Sequence, residues 1–226
     1  MQFRFARMIV LVAGLAVATS ACGKYSLSSI RSLKAFKDGA TLYQKGDYPG
    51  AAAKLEESLS FNPDFGFSYF YLGNSYDNMY RPVRKGEAAN DALLPKAAEN
   101  YRLAVDKLAG SEEPQAAQFR KLAFEYLIAI YGSDKLDDFV EAEPVARELI
   151  AYEPNEPGNY QLLARLYEEQ GDYEHSEAMF LKAIDVRPDA PLGHQLLAHY
   201  YNRQGEFDKT MEEFAKRAEL EPNNPE

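Results

Sequence analysis

Three histidines, one cysteine and a scatter of acidic pairs are the residues of this chain with chemistry in them. His194 and His199 stand five apart, about 140° around a helix, so they do not share a face. His175 lies on a separate segment. No HExxH, CxxC or acidic calcium loop accompanies them, so no metal ligand set is expected. No GxSxG or phosphate loop offers a cradle for nucleophilic or phosphoryl chemistry. Asp137-Asp138 and Glu168-Glu169 could act as acid and base only if burial moved a pKa; otherwise they are solvated faces. The expectation is a non-enzymatic protein without cofactor, and a sugar- or peptidoglycan-processing enzyme with a hidden carboxylate pair is its remote rival.

The lone Cys22 reads differently. Arg4 and Arg7 precede an 11-residue apolar run, Met8 to Ala18. That run is too short for a helix to cross a bilayer, which takes about 20 residues, but has the length of a signal-peptide core. "ATSAC" follows, and its last four residues, Thr19 to Cys22, resemble a bacterial lipobox. Thr19 departs from the usual leucine. The resemblance implies a signal peptide over 1–21, lipidation of Cys22 and stable anchoring by acyl chains. The alternative is an ordinary secretory cut leaving a free thiol. Gly23 after the lipidated cysteine implies outer-membrane sorting, facing the periplasm. With one cysteine, no disulfide can form within the chain. Residues 22–31 are expected to carry the lipid and a short linker, Lys24–Arg31.

The 226-residue chain has a formal charge of −10. Removing residues 1–21 leaves 23 basic against 35 acidic residues, or −12. Such a chain repels nucleic acid and anionic lipid and favours basic partners.

The elements that must position these residues repeat. Pro154, Pro188 and Pro222 are spaced at 34, as are Gly171 and Gly205. "YQLLARLYEEQG" and "HQLLAHYYNRQG" precede the glycines, and "DYEHSEAMFLKAIDVRP" and "EFDKTMEEFAKRAELEP" follow. Apolar residues recur at three and four within each half, as in amphipathic helices. The period and the pattern Tyr160, Leu163-Ala164, Tyr167, Gly171-Asp172-Tyr173, Phe180, Ala183, Pro188 resemble the tetratricopeptide repeat. Further copies read Gly39, Leu42, Gly46-Asp47-Tyr48, Ala51, Leu55, Pro63; "YFYLGNSY" with Ala97, Tyr101, Ala104; and Phe124, Leu127, Tyr131, Ala142, Leu149, Pro154. The last is His194, Leu197-Ala198, Tyr201, Gly205, Phe214, Pro222. The resemblance implies an all-α superhelix, a solenoid of about five helix-turn-helix units over 32–222: approximately 32–65, 66–112, 117–156, 157–190 and 191–224. Small residues (Gly39, Gly73, Ala164 and Ala198; Ala51, Ala97, Ala142 and Ala183) let paired helices approach. In the last helix the stripe Met211, Phe214, Ala215, Ala218 is expected inside and Arg217 in solvent, because nothing follows to cover the far side.

In that family the inner faces of the first helices line a groove for a peptide or helix. Carried over, they give Phe36, Ala40 and Tyr43; Phe67, Phe70, Asn74 and Asp77; Glu125 and Ala129; Gln161, Arg165 and Glu168; then Gln195, His199 and Asn202. Some members clamp a C-terminal carboxylate with Lys and Asn in the first unit. Phe36 and Ala40 stand there, which argues against that use. In "FGFSYFY", Phe65 to Tyr71, Phe67 and Phe70 are either groove anchors or packing between units. The insertion over 77–96 gathers Arg81, Arg84 and Lys85, either for a partner or paired with local carboxylates such as Glu87. The resemblance thus implies a protein-interaction adaptor with a protein or peptide partner, no nucleic acid and no metal. The alternative is a stoichiometric subunit of an outer-membrane assembly, pilus or secretion complex.

Overall fold

The computed structural model describes residues 26–221. The expected signal segment 1–21, Cys22 with its lipobox-like context, Gly23 and the closing Pro222 lie outside them. The described residues are helical, without a strand. The helices are α1 (Leu27–Gln44), α2 (Tyr48–Phe61), α3 (Gly66–Met79), the short α4 (Ala88–Asp91), α5 (Leu93–Leu108), α6 (Ala116–Tyr131), α7 (Phe139–Tyr152), α8 (Pro157–Glu169), α9 (Tyr173–Val186), α10 (Pro191–Gln204) and α11 (Phe207–Leu220). Apart from α4 they follow one another as five helix-turn-helix pairs, as the repeat pattern predicts. The chain divides into two compact units inside α6, after Phe119.

In the first unit α1 packs on α2, α3 on α5, and α2 on α3. The small residues work as expected. A Cβ on Gly39 would sit 2.9 Å from Leu55 Cγ, and one on Gly73 2.9 Å from Tyr101 Cδ1. Opposite them Ala51 and Ala97 are fully buried. A buried hydroxyl chain crosses three helices: Ser58 Oγ donates to the Ser32 carbonyl (2.9 Å) and lies 3.0 Å from Ser32 Oγ and 2.8 Å from Ser68 Oγ.

In the second unit α8 pairs with α9 and α10 with α11, while α7 packs on α8 and α9 on α10. Gly171 and Gly205 end their helices at φ 75° and 78°, a left-handed turn that a Cβ would strain. Their turns close alike, Asp172 N–H on the Tyr167 carbonyl and Glu206 N–H on the Tyr201 carbonyl, each at 2.9 Å. The longer turn before α7 places Asp137 at φ 54°, a conformation aspartate tolerates better than most residues. Asp138 and Asp172 then cap α7 and α9, their carboxylates accepting from the N–H three residues on. Glu143 takes hydrogen bonds from Tyr167 (2.6 Å) and from Arg147 Nη2 (2.8 Å), tying α7 to α8.

Two expectations are corrected. The linker is shorter than Lys24–Arg31, because Ser26 caps a helix that already begins at Leu27; its Oγ accepts from Ser29 N–H at 3.1 Å. The last helix is turned the other way. Arg217 is largely covered, its side chain 16% exposed and 3.5 Å from Glu221, while Met211, Ala215 and Ala218 face solvent; of the expected stripe Phe214 alone is half-buried, edge-on to His199. Repeat position decides this outcome over polarity. Thr210 and Arg217 stand 34 residues beyond Ser176 and Ala183, both buried in α9. The polar groups that α11 turns inward are satisfied: Thr210 Oγ1 donates to the Glu206 carbonyl, and Glu213 accepts from His194 Nδ1 (2.7 Å) and Lys216 (2.8 Å).

Candidate functional site

Along α1, Ser29, Leu33, Phe36 and Ala40 recur at three and four and so form one stripe. That stripe is one wall of a groove in the first unit. Asn62 and Phe65 close it from the turn before α3, Phe67 and Tyr71 from α3 itself, and Glu113, Pro114, Gln115 and Phe119 from the segment entering α6. The groove holds about 690 Å³, within the range of ligand pockets.

Its walls are five half-buried rings, Phe36, Phe65, Phe67, Tyr71 and Phe119. They hold one another edge to face. Phe36 meets Phe65 at 5.1 Å between centroids and Tyr71 at 5.6 Å, and Phe67 meets Phe119 at 5.1 Å. Such contacts fix ring orientation and leave the remaining ring surface as a preformed apolar wall. Polar atoms are few (Ser29, Ser32, Asn62, Gln115), and Ser32 is already engaged with Ser58. Among the described residues Glu113 is the one charged lining residue, and no lysine, arginine or histidine lines the groove. A carboxylate entering it would meet no counter-charge, whereas an apolar group would shed water at low cost.

Of the early groove candidates, Phe36 and Phe67 line this groove and Ala40 lies beside them. Tyr43 lies outside its lining, packed edge-on to Tyr48 and Tyr71, and its hydroxyl meets Asn78 Nδ2 at 3.4 Å. Asp77 is half-buried at the end of α3. Phe70 and Asn74 are corrections: both are buried and closed to a ligand. Phe70 packs under Phe119 at 5.0 Å, and Asn74 donates to the Phe70 carbonyl, a partner one turn back on its own helix. The face assigned to α3 was too wide by about one turn-to-turn row. The carry-over missed Leu33, Phe65, Tyr71 and Phe119. Leu33 was readable, one turn before Phe36 on the same face. Phe65 and Phe119 come from a turn and from the start of α6, where no helical stripe marks them.

In the second unit Gln161, Arg165 and Glu168 line a smaller, polar concavity of about 420 Å³ with Glu169 and Arg203. Arg203 was not foreseen. Its Nε and Nη2 reach Glu168 at 2.9 and 2.7 Å, so the two charges neutralise each other. That hydrogen-bonded pairing raises the Arg203 pKa. Gln195, His199 and Asn202 lie on α10 outside this lining. Gln195 is half-buried, His199 and Asn202 are exposed, and the His199 ring stands edge-on to Phe214. On α6, Glu125 is half-buried, its carboxyl pKa raised by burial, and Ala129 is exposed.

The insertion is an ordered turn. Asn90, buried, accepts from Arg81 N–H (2.9 Å) and donates to the Arg81 carbonyl (3.1 Å). The Arg81 guanidinium donates to the Asn78 carbonyl, Arg84 pairs with Glu87, and Lys85 is exposed. Glu87 is thus the local partner of Arg84. His175 pairs with Asp172 and His194 with Glu213. Among the described residues no group of three His, Cys, Asp or Glu could hold a metal ion, and no helix is long and apolar enough to cross a membrane.

Residues 135–200 match the model of a tetratricopeptide repeat family. No curated protein matches the chain in sequence. Among solved structures the chain is similar to the MamA protein (TM-score 0.59, 19% identity, 85% of this chain and 92% of that one). It is also similar to MamA 41-end from Desulfovibrio magneticus RS-1 (0.54, 17%, 87% and 98%). A third is YrrB, described as a TPR protein with an unusual peptide-binding site (0.52, 14%, 91% and 93%). At these identities the likeness carries the fold alone, which is that of tetratricopeptide solenoid proteins.

Proposed function

We propose that the chain is a non-enzymatic adaptor that binds an extended or helical segment of another protein in the first-unit groove. The observation that carries this reading is the ring-walled groove of about 690 Å³ with Glu113 as its one charged lining residue among those described. The ligand segment presents two or three large apolar side chains and is neutral or basic. Basic flanks suit the rim glutamate and the chain's charge of −10. YrrB's peptide-binding site supports the same use of the scaffold. The proposal includes lipidation at Cys22 and residence at the outer membrane facing the periplasm, both resting on the lipobox-like "ATSAC". With α1 starting at Leu27, only the four residues 23–26 separate that lipid from the fold, a reach of about 14 Å.

Photo-crosslinking in intact cells tests the groove. A photoreactive residue at Leu33 or Phe67 is expected to trap a discrete partner, and one at exposed Glu174 is not. Phe36→Asp should abolish the adduct while leaving helicity intact. Equal adducts from Glu174, or none from the groove positions, would refute the reading. Cys22→Ser should release the protein from membranes if the lipid holds it.

A further inference from the structure

An apolar stripe runs along the exposed side of α11. Phe207 is 67% exposed and Met211 69%, and Ala215 and Ala218 complete the stripe. The 34-residue period says what this side is for. The corresponding residues of α9 are Tyr173, Glu177, Leu181 and Ile184, and α10 lands on three of them. Tyr200 Oη donates to the Tyr173 carbonyl at 3.0 Å, Tyr201 Oη donates to Glu177 at 2.6 Å, and Gly193 lies directly over Ile184. Met211 and Ala218 therefore stand where the next helix of the array docks, with Phe207 beside them, and among the described residues no helix covers them. One flank of this stripe is acidic: Asp208, Glu212 and Glu219 lie within about 100° of Met211 on the same side, Glu212 paired with Lys216 at 2.7 Å.

A helix that fits must carry exposed apolar residues beside basic ones, and α1 does. Leu27 is 63% exposed and Ile30 57%. Lys34 and Lys37 are exposed on the same face, one and two turns further along. We propose that a second copy of this chain docks its α1 on the α11 stripe, Leu27 and Ile30 against Met211 and its neighbours, Lys34 and Lys37 toward the acidic flank. Lys34 stands where α10 carries Gly193, counted from Gly46 and Gly205. The second copy thus cannot seat as one more repeat; the contact rests on the first two turns of α1, and the lysines reach out to the carboxylates. A symmetric pairing of α11 with α11 fits worse, since an antiparallel pair would set each acidic flank against its own copy. The contact joins two different surfaces and propagates from copy to copy.

Disulfide trapping tests it on the full chain carrying Cys22→Ser, purified in a non-ionic detergent. Ile30→Cys and Met211→Cys are made separately, and circular dichroism confirms that both fold. Oxidising the mixture should give a 30–211 linked dimer that neither variant gives alone. Lys34→Glu with Lys37→Glu on the Ile30→Cys chain should abolish it, and Asp208→Lys with Glu212→Lys on the other chain should restore it. Phe36→Asp should leave the yield unchanged, which separates this contact from the groove. Dominant 211–211 or 30–30 products, a yield indifferent to the charge swaps, or monomers throughout would overturn the proposal.

Discussion

Replacing Gly193 by alanine isolates the contact between successive hairpins. Gly193 sits in the first turn of α10. A Cβ there would lie 2.9 Å from Ile184 Cγ1, 3.0 Å from its Cα and 3.1 Å from its backbone nitrogen. The side-chain atom can swing aside, but the two backbone atoms cannot, so α10 must lift from α9. Overpacking of this kind costs about 1–3 kcal/mol. Alanine recovers up to about 1 kcal/mol of helix propensity, less in a first turn. The net expectation is a loss of about 1–2 kcal/mol. Gly158, in the first turn of α8, is the control: its Cβ would meet only Glu156 Oε1, at 3.7 Å. Gly158→Ala should be neutral or stabilising by up to about 1 kcal/mol. Urea unfolding of the full chain followed by circular dichroism reads the difference, and amide hydrogen exchange places the loss in α9 and α10. Ile184→Ala, which removes Cγ1 but not the backbone, should rescue Gly193→Ala only in part. Equal stabilities for the two glycine variants would refute the close approach, and with it the register used to identify the α11 stripe.

Ser58→Ala removes the middle of the hydroxyl chain and strands Ser32 and Ser68 in the core; it should cost about 1–3 kcal/mol in urea unfolding, partly recovered when all three become alanine. Asp172→Ala should cost about 1 kcal/mol by losing its bond to His175 N–H, whereas Glu206→Ala, at the same place in the next repeat but making no such bond, should cost almost nothing. The Glu143 carboxyl is held below its ordinary pKa, first by the Tyr167 hydroxyl and then by Arg147. A carboxyl lowered in the folded state stabilises above its unfolded pKa, and that stabilisation fades as pH falls through the folded one. Glu143→Gln should therefore be less stable than the parent by about 1 kcal/mol at pH 7, the gap closing below about pH 4 in thermal unfolding across pH.

The helical pairs were legible because their packing is local and periodic. Gly39 against Leu55 and Gly73 against Tyr101 are contacts between neighbouring helices, and a small residue at a fixed repeat position announces them. The last helix was misread for a related reason. Its polar residues Thr210, Glu213 and Arg217 sit at the inward repeat positions, and Met211, Ala215 and Ala218 outside, with Phe214 half-buried. Hydrophobicity and repeat position disagree there. The structure sides with position, because Glu206, His194, Lys216 and Glu221 supply the partners that make burial of those groups tolerable. Of those partners only His194 comes from another helix; the others lie three or four residues away along α11 and its caps.

The groove shows the same limit from the other side. Phe36 and Phe67 were legible from repeat position, but what turns them into walls is Phe65 from a turn and Phe119 from the start of α6. Phe119 has two effects at once. It closes the groove against Phe67, and it covers Phe70, withdrawing a ring that repeat position had assigned to the ligand. The chemistry of the groove is set by that choice. With Phe70 sealed, and with Asn74 and Asn78 donating back to their own helix, α3 offers the groove mainly ring surface. Recognition then falls mainly to ring surfaces, which discriminate by shape and size more than by hydrogen bonding, with Asn62 and Gln115 as the amides of the lining. Selectivity for a basic segment must then come from Glu113 at the rim and from the field of a chain of charge −10, both of which weaken with salt. A partner trapped at Leu33 or Phe67 should accordingly show an apolar contact that persists at high ionic strength and an association rate that does not.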